Sequence, residues 1–224
     1  MRSGGKCVVN DMRVDVWADV ICPWCYLGRE YLRQAIASYD GDVQVVHHAF
    51  ELDPTSPRDK VSTTTERLAA KYGMTEAQAV GAQQQMAARA ADAGLAFNYD
   101  GQLSGNTRDA HRLIQLALHR GVQDAMVERL YRAYFTDGRS VFDPESLAAL
   151  ATEVEGLDPD EVAATLQSDA FEEQVVSDEN QAYALGVSGV PFFVVDRRYG
   201  LSGAQPAEVL LQVLERAAAE PISS

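Results

Sequence analysis

The sequence predicts an α/β fold in which one mixed sheet domain is interrupted by a large α-helical insertion. Three observations predict it: β-like patterning near both ends of the chain, helical texture throughout the middle, and turn-rich segments at the junctions. Sheet segments on both sides of an all-helical block are hard to explain as two sequential domains. The expected organisation is a discontinuous α/β domain of residues 12–60 plus 186–221, an α-helical insertion domain of residues 61–185, and a flexible leader over residues 1–11. At 224 residues the chain is long enough to bury a full core.

The first strand is "VDVWADV", Val14 to Val20, where apolar and polar residues alternate. Pro23 then opens a helical pattern, "PWCYLGREYLRQAIASY", whose Leu27, Tyr31, Leu32, Ala35 and Ile36 share one side. A Gly-Asp turn leads into a second strand within "GDVQVVHHAFEL", residues 41–52, completing a unit of βαβ size. After the breaker "DPTSPRD", residues 63–185 hold only helix-like segments, punctuated by Gly73, Gly94 to Gly105, Gly121 and "TDGRS". "TEAQAVGAQQQMAARAADAG" favours helix by composition, although Gly81 weakens it locally. From Gly186 the β texture returns as "VPFFVVD", then a short "RRYGLSG" arm and a helix from Pro206 to about Ala219. Pro191 cannot donate to a ladder, so it belongs at a strand start or edge.

The formal net charge of −14 excludes a nucleic-acid partner, because phosphate binding needs a basic stripe and this chain would repel the backbone. No apolar run reaches 18 residues, so no helix is expected to span a membrane. "MRSGGKCVVNDM" has no apolar stretch long enough for a signal peptide, and the expected location is the cytoplasm.

"ICPWCYLG", Ile21 to Gly28, carries Cys22 and Cys25, two of the chain's three cysteines. Such a pair is a metal clip, a structural staple or a redox centre. A zinc site needs about four ligands, and beyond the pair only Cys7 and the adjacent His47 and His48 remain, so no metal is expected. Pro23 and Trp24 suit a rigid exposed helix start better than an inert buried pair. Placed between strand and helix, Cys22 falls near the N-cap and Cys25 one turn in, on the same side. Unpaired N–H groups and the positive end of the helix dipole favour a thiolate at Cys22, a nucleophile toward disulfides, with Cys25 as the resolving thiol. Val190, before Pro191, offers backbone groups with which an extended peptide could pair.

"VDVWADVICPWCYLG", "NTRDAHRL", "GVSGVPFFVVD" and "YGLSGAQP", in this order and spacing, resemble the DsbA-like thioredoxin-fold proteins, closest to the FrnE-like thiol:disulfide oxidoreductases. The likeness runs from about residue 14 to 215. It implies a thioredoxin-like fold with a helical insertion, and a cis Val190-Pro191 bond packed against Cys22 and Cys25. It also implies that Cys22 is the nucleophile and Cys25 its buried partner, with Pro23, Trp24, Val190 and Pro191 at the substrate. Thioredoxins carry a buried acid six residues before the first cysteine, where this chain has Val16. Proton transfer to Cys25 is therefore assigned to Asp15, Glu51 or water. Asn106 and His111 lie where related proteins line the site from the insertion, although a helix cap and a packed histidine explain them equally well. Cys7 is expected to be non-catalytic.

Three functions follow. The leading one is a dithiol-disulfide oxidoreductase or isomerase acting on a disulfide-containing protein or a small thiol. It has no bound cofactor, and glutathione or a dithiol reductant enters as co-substrate. The second is a glutathione-linked isomerase of the 2-hydroxychromene-2-carboxylate type, which Cys22 argues against because those relatives typically carry Ser there. The third is a non-enzymatic redox sensor or binding module.

Overall fold

The computed structural model describes residues 12–220; Cys7 and the proposed leader lie outside the described residues. In chain order the elements begin with β1 (Met12–Ala18), α1 (Pro23–Ser38) and β2 (Val43–Ala49). The insertion follows, with β3 (Ser62–Thr63), α2 (Thr64–Tyr72), α3 (Glu76–Asp92), β4 (Leu103–Ser104), α4 (Arg108–His119), α5 (Gln123–Phe135), α6 (Pro144–Thr152), α7 (Pro159–Leu166) and α8 (Glu172–Ala184). The chain then returns as β5 (Phe192–Val195), β6 (Tyr199–Ser202) and α9 (Ala207–Ala219). The main sheet has the order β2-β1-β5-β6, with β1 parallel to β2 and antiparallel to β5. Segments from both sides of the insertion thus pair directly, Val16 opposite Phe193 and Trp17 opposite Phe192.

Alternation along β1 builds both faces of this sheet, as the period of two requires. Val14 and Val16 point toward α1 and α9, where they pack with Leu32, Ala35, Phe193, Leu210 and Leu214. Trp17 points the other way, onto Phe50, Ala182 and Val187. A separate core fills the insertion, and Val20, Cys22, Cys25 and Tyr26 belong to it.

The structure corrects the sequence reading in several places. The first strand begins at Met12 and ends at Ala18, leaving Asp19 to Ile21 as the turn into α1. The middle segment is not purely helical, since β3 and β4 form a two-rung antiparallel ladder. The "RRYGLSG" arm is β6, joined to β5 by a tight turn in which Asp196 and Arg197 adopt φ of 51° and 56°. Pro191, by contrast, stands at a strand start as expected, immediately before β5, which runs inside the sheet. Capping boxes at Thr63 with Glu66, and at Thr75 with Gln78, fix the starts of α2 and α3.

His48 clips the sheet to the insertion. Its Nδ1 lies 2.8 Å from Asp178 of α8 and its Nε2 2.8 Å from Asp15 of β1, while its ring stacks on Trp17 at 4.4 Å. Asp178 also accepts from the Ala49 N–H and from Gln115 of α4. Burial alone would lower the His48 pKa, but the two carboxylates outweigh it and hold the imidazolium up to about 9. Asp15 is correspondingly held down at about 2, against its own burial, by His48 and Arg13. Because the folded-state pKa of His48 is raised, this contribution is complete below its unfolded value and is lost as pH rises through about 9. Thermal melts from pH 6 to 10 should show stability falling through that range, and His48→Gln should flatten the fall after removing on the order of 3 kcal/mol at pH 6.

Candidate active site

Cys22 is the N-cap residue of α1, with extended backbone angles of φ −86° and ψ 114°. Its carbonyl accepts the Cys25 and Tyr26 N–H groups at 3.0 and 3.3 Å, and its own N–H donates to the Asp19 carbonyl at 3.1 Å. The cap side chain makes no capping hydrogen bond, Pro23 removes one of the unpaired N–H groups, and no acidic residue occupies the first turn. The positive end of α1 therefore faces the sulfur of Cys22 without a competing carboxylate in that turn. The same sulfur lies 3.7 Å from the Val190 carbonyl oxygen.

Cys25 sits one turn further in and is 1% exposed. Burial pushes its thiol well above the ordinary range, and the hydrogen bond to Cys22 and the nearby charge of that sulfur push it further. Tyr26, next along, stacks on Tyr131 of α5 at 4.8 Å and packs beside Phe97 and Phe135. Tyr131 in turn donates to the Asp19 carbonyl at 3.3 Å. The inner face of α1 is thus sealed by the insertion, and the two thiols occupy unlike surroundings one turn apart.

The peptide bond between Val190 and Pro191 is cis. Pro191 is buried, and its ring packs on the back of α1 at Gly28, where a Cβ would approach Pro191 Cγ to 2.8 Å and Phe193 to 3.2 Å. Gly28 is what allows α1 and the Val190-Pro191 segment to lie this close. A cleft of about 700 Å³ opens beside Cys22, Pro23 and Trp24. Ser188, Gly189 and Val190 form one side of it and helices α2 and α3 the other. Trp24 is 43% exposed, and the Arg89 guanidinium lies over its ring at 5.2 Å. Val190 thus lines the cleft directly, whereas Pro191 supports it from behind.

Asp15 does not serve Cys25. Its carboxylate is taken by His48 and by Arg13 on the far face of β1. The acid that sequence reasoning missed is Asp19, 1% exposed in the turn before Cys22. Its Oδ2 accepts the Leu52 N–H at 2.8 Å, and its Oδ1 lies 3.5 Å from Nε2 of His111. Both its backbone and its charge act on the Cys25 thiol. His111 is buried, and its pKa, which burial would lower, is raised by Asp19. Glu51 is also buried here, and burial drives its carboxyl up to about 7 although His111 and Arg108 oppose this. Arg108 Nη2 approaches Glu51 Oε2 to 2.7 Å and Glu179 Oε2 to 3.5 Å, yet neither Glu51 side-chain oxygen completes a well-aligned hydrogen bond. Asn106 stands apart, donating to the Ser56 carbonyl and accepting the Arg108 N–H at the head of α4. His47 is equally remote from the pair, facing Asp124. Among the described residues no group of three or more His, Cys, Asp or Glu side chains is placed to hold a metal ion.

The family profile described as "DSBA-like thioredoxin domain" matches residues 13–215. The chain belongs to the DSBA-like thioredoxin-domain family. A probable DsbA oxidoreductase from Streptomyces coelicolor shares 46% identity and superposes with a TM-score of 0.90, over 95% of this chain and 92% of that one. The cytosolic disulfide reductase DsbM from Pseudomonas aeruginosa is 18% identical, with a TM-score of 0.65 over 92% of this chain and 98% of its own. A 2-hydroxychromene-2-carboxylate isomerase is 19% identical, with a TM-score of 0.67 over 92% and 96%. The last two likenesses show the fold alone. A search of curated proteins returns no match. In this DSBA-like chain, Gly28→Ala should cost roughly 1–3 kcal/mol of stability, since the rigid Pro191 ring must move. Denaturant melts measure that cost.

Proposed function

We propose that the chain is a dithiol-disulfide oxidoreductase of the FrnE-like type, working through Cys22 and Cys25. The observation that carries this reading is the asymmetry of the pair: Cys22, 4% exposed, caps the helix N-terminus and lines a cleft, whereas Cys25, 1% exposed, lies one turn behind it and does not line the cleft. The Cys22 thiolate attacks one sulfur of a substrate disulfide, the S–S bond breaks, and the other sulfur leaves as a thiolate that takes up a proton. Cys25 then loses its proton and attacks Cys22, releasing the second substrate thiol and closing the Cys22-Cys25 disulfide. Two electrons pass to the substrate, and the same steps run backwards deliver a disulfide to a substrate dithiol.

Cys25 needs a place for its proton, because burial opposes its ionisation. The Asp19, His111 and Glu51 cluster is the proposed acceptor, since the Asp19 backbone and charge both act on the Cys25 thiol and Glu51 titrates near 7. Glutathione or another small thiol is proposed to reset the pair. A structure of DsbM with GSH supports this choice, and the cytosolic setting of that reductase supports the cytoplasm as the compartment. Among the described residues no helix is long and apolar enough to cross a membrane.

Purified protein should reduce insulin in the presence of a dithiol. Cys22→Ser should abolish turnover, and Cys25→Ser should trap a mixed disulfide on Cys22. Turnover retained in Cys22→Ser would refute the assignment.

A further inference from the structure

The chain carries 33 acidic residues against 19 Lys and Arg, yet the cleft beside Cys22 reverses that balance. Its walls include Arg67, Lys71 and Arg89 and no carboxylate. Arg67 is neutralised by Asp53, 2.6 Å away. Lys71 and Arg89 are exposed and form no salt bridge among the described residues; each lies over an aromatic ring, Tyr72 at 5.8 Å and Trp24 at 5.2 Å. A surface this acidic elsewhere makes a carboxylate-free, doubly cationic cleft a local positive well, and low-dielectric walls deepen such a well.

A second, independent feature lies in the same walls. Gln83 and Gln102 are 5% and 7% exposed, and each leaves half of its amide unused. Gln83 accepts from Thr65 through Oε1 while its Nε2 donates to nothing, and Gln102 donates to the Tyr134 carbonyl while its Oε1 accepts nothing. A buried polar group without a partner is costly, and a ligand that supplies the partner recovers that cost. One spare donor and one spare acceptor are what the C=O and N–H of a peptide backbone need. Opposite them, the Ser188 to Val190 segment, a bend before β5, lines the cleft and sets the Val190 carbonyl beside Cys22.

We propose that this cleft binds an extended acidic peptide segment whose disulfide is presented to Cys22, with Lys71 and Arg89 pairing with carboxylates beside the reacting cysteine and Gln83 and Gln102 pairing with its backbone. This rests on the exchange activity proposed above and names the substrate class for it. The covalent step is unchanged: Cys22 takes one sulfur of the segment's disulfide and the other leaves as a thiolate.

The test compares three disulfides at low salt with the full chain: a cystine-linked peptide flanked by Asp and Glu, the same peptide with Asn and Gln in their place, and glutathione disulfide. The acidic peptide should show a kcat/KM about tenfold above the neutral one, the size expected of two partly exposed ion pairs, and should also exceed glutathione disulfide. Added salt should shrink the preference. Lys71→Glu, at an exposed position, should collapse or invert the ratio of the two peptides, and Gln102→Leu should raise KM for both peptides alike. Equal rates for both peptides, a preference untouched by Lys71→Glu, or glutathione disulfide as the best substrate would overturn the proposal. Failure of wild-type protein to turn over any of the three would instead remove the exchange activity beneath it. Circular dichroism of each variant separates lost folding from lost selectivity.

Discussion

The structure turns on the burial of the inner face of α1 in the core of the helical insertion. Cys25 and Tyr26 are sheet-domain residues by sequence, but the packing around them is Leu113, Leu130, Tyr131 and Phe135 from α4 and α5. Together with the His48 tie to α8, this contact joins the two parts of the molecule, and it gives the two cysteines different surroundings. Both cysteines are buried, Cys25 at 1% and Cys22 at 4% exposed, but only Cys22, at the helix end, borders the cleft formed jointly by the insertion and the Ser188 to Val190 segment. Without the insertion the pair would be two neighbouring thiols on one helix.

Three further constraints hold that contact in register. Gly28 lets the Pro191 ring approach the back of α1, the β1 to β5 ladder fixes the strand that follows Pro191, and His48 ties the sheet to α8 through Asp15 and Asp178. Charge is used differently on the two sides of the molecule. At His48 two carboxylates enclose one imidazolium and the balance is favourable. Near Cys25 burial outweighs the opposing charges of His111 and Arg108, so Glu51 holds its proton up to about neutral pH. A buried carboxyl that titrates near neutral pH close to a buried thiol suits the proposed dithiol chemistry, whereas the His48 ion pairs serve to hold the fold.

Much of this was legible in the sequence, because the signals were local. The C-x-x-C stood between a period-two run and a period-3.6 run, so strand, turn and helix start followed from patterning. The split sheet showed because β texture stopped at Leu52 and resumed after Gly186. What escaped depended on distant segments. Asp19 lies in the same alternating run as Asp15, which marks it only as a polar strand position, and only folding brings the Leu52 N–H and His111 onto its carboxylate. Asp15 looked equally placed along the chain, but the strand pleat turns it to the opposite face. The β5 to β6 hairpin was hidden because its turn puts Asp196 and Arg197 in the left-handed region without the usual Gly signal. The ladder of β3 and β4 is too short to have a pattern of its own.

In the proposed function Cys22 and Cys25 act as one asymmetric two-electron centre. The most direct measurement is an equilibrium titration in glutathione buffers, quenched with acid and read by alkylation and peptide mass. It should show a single two-electron transition to an internal Cys22-Cys25 disulfide, with glutathione appearing on Cys22 only when Cys25 is replaced. A pair that stays reduced across the whole range, or glutathione attached to Cys25 in preference to Cys22, would contradict it.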